Sequence, residues 1–165
     1  MNFREAFEKL QGSLEFKEWR KENPSPFLAH FFIQLDSNYN RGEWEIGFYN
    51  KEKDRITTFV VGSSILVKPE DEVFKKEEHE VRELKIDEIE VGLDEVIKTF
   101  KQYQEEKYPG QVPMKLFAIL QDIAEGLVWN VTSATKTFSA LNLKISVADG
   151  KIISEKCESF FDLRT

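Results

Sequence analysis

The chain has 165 residues, a formal net charge of −7, 41% hydrophobic residues and a single cysteine. That length suits one ordinary domain or two small lobes sharing a core, and with no apolar run of about 18 residues a bilayer-spanning helix is not expected. One cysteine excludes an intramolecular disulfide framework, and the opening MNFREAFEKLQG carries charge throughout, without the apolar stretch of a secretory signal, so the cytoplasm is the expected location.

Residues 2–22 read as helix, interrupted near Gly12. Phe3, Phe7 and Leu10 recur at helical spacing, and Leu14, Phe16 and Trp19 supply a second apolar set. Ser13 suits the cap of the second piece, and Asn23-Pro24 ends it, because the residue before proline avoids the α region. The nearly continuous apolar run FLAHFFIQLD, residues 27–36, predicts a central strand, with a loop over 37–42. In WEIGFYN, Trp44, Ile46 and Phe48 share one face. The turn KEKD leads to ITTFVVG, and Ser63-Ser64 to a short ILVK. The first unit, 1–68, is thus helix followed by strands.

Residues 69–92 hold ten acidic and four basic groups, so nearly all of the excess charge lies in this junction. It reads equally as a half-exposed helix over about 70–84, its acidic first turn favoured by the helix dipole, or as an ordered linker. Neither flanking unit carries the basic footprint that a phosphate backbone requires, so nucleic acid is not an expected partner.

The second unit, 93–165, is patterned more sharply. Leu93, Val96, Ile97, Phe100 and Tyr103 mark one face of a helix to about Lys107, terminated by Pro109-Gly110. Met114, Leu116, Ala118 and Leu120 fall on one side of a strand. Leu127, Trp129 and Val131 alternate in the next, and Leu141, Leu143, Ile145 and Val147 in a third. Asp149-Gly150 is a favoured two-residue hairpin turn, returning the chain as a last strand to Cys157. The tail ESFFDL is expected to fold Phe160, Phe161 and Leu163 back onto the sheet.

Both units follow the order helix, proline, apolar strand, Trp strand, alternating strand, and a shift of 85 places Pro24 on Pro109 and Trp44 on Trp129. The expected class is therefore α+β, two tandem helix-plus-antiparallel-sheet units of structurally duplicated plan. They either hold separate cores or share one continuous sheet with both helices on the same side.

Residues 89–156, with the helix LDEVIKTFKQYQEEKYPG, the strand VWNV and the hairpin ADGKII, resemble a PepSY domain. The final strand of such domains takes the form valine–Asp–x–x–Gly–x–valine; here it reads SVADGKII, with Asp and Gly adjacent. The resemblance implies a small cystatin-like α+β fold, and a role in regulating peptidases or binding partners.

No catalytic, metal-binding or cofactor-binding constellation stands out. GxGxxG, P-loop, HExxH, CxxC and nucleophile-elbow patterns are absent, and Glu70, Asp71 and Glu72 lack the loop of a calcium site. His30 shares its predicted face with Leu28 and Phe32 and reads as a satisfied, partly buried histidine. His79 lies among carboxylates that would raise its pKa, in a stretch that reads as solvated. Cys157 lacks thiolate-stabilising neighbours, and the sequon Asn130-Val131-Thr132 sits within a strand.

Aromatics remain: 14 Phe, 4 Tyr and 3 Trp. Most are expected to fill thin cores. As interaction or pocket residues we single out Trp19, near a helix end and expected to be exposed, with Trp44, Trp129, Phe100 and Tyr103. The expected function is a non-enzymatic cytosolic module for protein interaction or regulation, engaging a protein partner or a second copy through a sheet edge. The alternative is a small-molecule-binding protein with an aromatic-lined apolar pocket between helix and sheet.

Overall fold

The structure, a computed structural model, describes residues 1–73 and 80–161. Helix α1, Phe3–Gly12, and helix α2, Leu14–Glu22, are separated at Ser13, whose hydroxyl accepts the Phe16 N–H at 3.2 Å. At the start of α1, Asn2 accepts from the Glu5 N–H while Glu5 accepts from the Asn2 N–H, a reciprocal cap. The first strands are β1, Phe27–Asp36, β2, Trp44–Asn50, β3, Arg55–Val61, β4, Ile65–Val67, and the two-residue β5, Asp71–Glu72. Helix α3, Leu93–Lys107, follows, then β6, Pro113–Ile123, β7, Gly126–Thr135, β8, Ser139–Ser146, and β9, Ile152–Ser159. All pairings are antiparallel.

One continuous sheet results, in the order β4-β3-β2-β1-β6-β7-β8-β9, with β5 paired to β3. The long apolar β1 is central, joined to β2 on one side and to β6 on the other. The protein is α+β and mostly sheet. A core cluster takes side chains from all three helices and from one face of strands in both halves of the sheet. At its centre the Trp44 and Trp129 rings lie 6.4 Å apart. Each indole N–H donates to a backbone carbonyl, Met1 O at 2.9 Å and Val91 O at 2.8 Å, so neither ring buries an unsatisfied donor.

Several local expectations are corrected. Within the acidic junction the described residues 70–73 and 80–85 contain no helix; 74–79, with His79, lie outside the described residues. The chain instead enters a short 3-10 turn at Ile86–Glu88 and packs Leu84, Ile89 and Val91 into the core. Met114 is 54% exposed, because a bulge between Pro113 and Lys115 takes it out of the alternation. The Asp149-Gly150 turn is longer than two residues, spanning 147–151. Val147 is held under the sheet by its carbonyl, which accepts from the Glu90 and Val91 N–H groups, so β8 ends at Ser146. Gly150 still provides the required positive φ, 74°. Phe160 and Phe161 remain exposed, Phe161 stacking edge-on against Phe138 rather than on the sheet; Leu163 lies outside the described residues.

Candidate functional site

The five aromatics singled out from the sequence do not converge on one surface. Trp44, Trp129 and Phe100 are buried in the core. Trp19, expected to be exposed, is half-buried, its ring 5.1 Å from Phe59 and 5.5 Å from Phe48, with the Arg20 guanidinium 5.1 Å above it. Tyr103 faces Tyr108 and Glu155 at the helix-side margin of β9. Its hydroxyl is pushed up to about 12, chiefly by a hydrogen bond to the Glu155 carboxylate. Burial and then Glu155 raise the pKa of the Cys157 thiol, which opposes a thiolate role.

A cavity of about 710 Å³ lies on the opposite face of the sheet, away from the helices. Its position follows from one irregularity in β1. Leu28 pairs with Phe48 but His30 pairs with Gly47, leaving Ala29 as an extra residue. The bulge moves His30 off the face of Leu28, contrary to strict alternation, and onto the outer face with Phe32. There its imidazole lies across Gly47 of β2. A Cβ added to Gly47 would stand 2.6 Å from Nε2 and 2.8 Å from Nδ1 of the ring, with Cε1 closer still. Glycine at this position lets the ring lie flat on the backbone.

Around His30 the sheet contributes Ile56 from β3, Ile119 and Gln121 from β6, Asn130 from β7 and Lys144 from β8, and Val81 and Arg82 also line the cavity. Its two cations, Lys144 and Arg82, are paired, and Glu72 and Glu80 also line the margin. Lys144 meets Glu125 at 3.0 Å, and Arg82 lies 3.7 Å from Asp122 while donating to the Ile123 carbonyl. The Asn142 amide donates to Asn130 Oδ1 at 2.6 Å and to Thr132 Oγ1 at 2.9 Å, orienting the Asn130 side chain. Uncharged polar groups stand over an aliphatic floor, with carboxylates at the margin. Among the described residues no three His, Cys, Asp or Glu side chains form a metal-holding group.

Burial lowers the His30 pKa from 6.5 to about 4, with Glu45 opposing the shift, so the ring is neutral at pH 7 and offers one donor and one acceptor. As pH falls below 6.5 the unfolded chain takes up this proton first. The penalty on the folded state therefore grows down to about pH 4, is constant below that, and is absent above 6.5. The shift corresponds to roughly 3 kcal/mol, reduced to about 2 because the ring still touches solvent. Between about pH 7 and pH 4, urea denaturation should show wild type losing about 2 kcal/mol more than His30→Gln; parallel losses would remove His30 as the cause.

Reading the sequence by strict alternation missed Gln121 and Lys144, which look like ordinary wet-face residues. The signal available was a histidine inside an apolar strand and a glycine inside the next one. No protein-family profile and no curated protein sequence matches the chain. The chain is similar to a solved structure described as a putative lipoprotein from Clostridium difficile 630, with a TM-score of 0.53 and 6% sequence identity, covering 87% of this chain and 90% of that one. At that identity the likeness concerns the fold alone.

Proposed function

We propose that this is a non-enzymatic binding protein that takes a small, largely apolar and uncharged molecule into the cavity on the outer face of the sheet. The observation that carries the reading is the neutral His30, held flat on Gly47 at the floor of a cavity of about 710 Å³. That volume lies within the range of small-molecule sites, about 300–1,000 Å³. An uncharged ligand is favoured because Lys144 and Arg82 already have carboxylate partners, while His30 and Asn130 supply directional hydrogen bonding without charge.

The neutral fluorophore N-phenyl-1-naphthylamine tests this. Its emission should rise on mixing with the wild-type protein and stay at the solvent level with Ile119→Trp, in which an indole occupies the cavity. Absence of a rise with wild type, or an equal rise with the variant, would refute the reading.

A second reading, a PepSY-like interaction module, is favoured by the two edges, β4 and β9, that the sheet leaves open among the described residues. An internal duplication is supported by the matched order of strands on either side of the β1–β6 junction, and by the facing positions of Trp44 and Trp129.

A further inference from the structure

Among the described residues strand β9 ends the sheet, and its outer edge, paired with no described strand, carries the pattern Glu155, Lys156, Cys157, Glu158, Ser159. Which backbone groups point outward follows from the β8 ladder. The Phe160 N–H donates to the Phe138 carbonyl at 2.8 Å, so the even-numbered residues back to Ser154 are the ones bonded inward. By the alternation of antiparallel ladders, Glu155, Cys157 and Ser159 direct their N–H and C=O groups away from β8.

We propose that two copies of this chain join through β9, paired antiparallel about a two-fold axis at Cys157, so that the sheet continues from one copy into the other. Antiparallel pairing sets outward residues against outward ones, which confines a symmetric joint to registers centred on a residue. Centring on Glu155 or Glu158 opposes glutamate to glutamate, and centring on Lys156 opposes lysine to lysine. Centring on Cys157 sets Lys156 of each copy opposite Glu158 of the other and Glu155 opposite Ser159. The ladder then gains about six hydrogen bonds.

The same register brings Ile153, 46% exposed, toward Phe161 of the second copy, 62% exposed. Lys156 and Glu158 already share a face, 2.7 Å apart within one chain, so each lysine would bridge two carboxylates. Cys157 pairs with Leu141 and lies on the helix-bearing face; a residue-for-residue joint therefore keeps the helices of both copies on one side. Charged residues on an edge strand ordinarily block pairing. Here they block the competing registers and favour one. The proposal is independent of any ligand in the outer-face cavity.

Sedimentation equilibrium of the full chain up to roughly 1 mM is expected to show a monomer–dimer equilibrium. Lys156→Glu and Glu158→Lys should each weaken it by about tenfold or more, and the double exchange Lys156→Glu with Glu158→Lys should restore it to within about threefold. Circular dichroism would establish that each variant is folded. Because Cys157 is the sole cysteine, a dimer formed with a short bismaleimide must join Cys157 to Cys157; it should form with wild type and the double variant and fall with either single one. A chain that stays monomeric throughout overturns the proposal. So does a dimer that charge reversal leaves unchanged, or one that does not crosslink.

Discussion

Replacing Trp129 with alanine is expected to lower the free energy of unfolding by about 4 kcal/mol, a large share of the roughly 5–15 kcal/mol that holds a domain of this size. The indole is 0% exposed, meets Phe3 edge-on at 5.9 Å and lies 6.4 Å from Trp44. Truncation leaves a void at the centre of the sheet's inner face and strips the Val91 carbonyl of the indole N–H that it accepts. Because Trp44 belongs to the first half of the sheet, the loss should not stay local. Hydrogen exchange at the slowest amides of β2 and β3 is expected to accelerate by the same factor as at β7 and β8. Acceleration confined to β7 and β8 would mean that the two halves open independently.

The elements that were legible in the sequence are those whose cause is local. Ser13 caps α2 within three residues of itself, and Leu93–Lys107 has its apolar stripe and its proline stop inside one window. Strand β8 alternates without interruption from Leu141 to Ile145. Its neighbour β9 was legible as a strand, but not the long turn between them, because Val147 is tied to Glu90 and Val91 from a distant segment. The joint between β1 and β6 depends on pairing partners some 85 positions apart, and only the two-sided apolarity of FLAHFFIQLD hinted at a central place for it.

The cavity was the least legible part, for a definite reason. It is lined by residues from several strands and from the segment at Val81 and Arg82, each polar member indistinguishable from a solvated strand residue. Strict alternation puts its one unusual member, His30, on the face of Leu28 as well as of Phe32, because an inserted residue such as Ala29 leaves no mark in the composition. A bulge reverses the inside and outside of everything beyond it. The same applies to Met114.

Gly47→Ala tests that geometry from the other side of the contact. On propensity alone the exchange should stabilise β2, since glycine in a strand gives up roughly 0.5–1 kcal/mol relative to alanine. The His30 ring reverses the sign. The new Cβ would lie 2.6 Å from Nε2, and relief requires the imidazole to swing off the backbone and into the cavity, at a net cost of about 2 kcal/mol. Truncating the ring as well removes the conflict, so in a urea-denaturation cycle Gly47→Ala should be neutral or stabilising on the His30→Ala background. The coupling between the two sites is then at least about 2 kcal/mol. Additive effects would show that the ring and Gly47 are not in contact, and with that the floor of the cavity would lose its neutral histidine. The displaced ring would also regain water, so Gly47→Ala should flatten the acid limb of the stability curve as His30→Gln does. One backbone hydrogen in place of a methyl group thus governs the position of the imidazole and its protonation together.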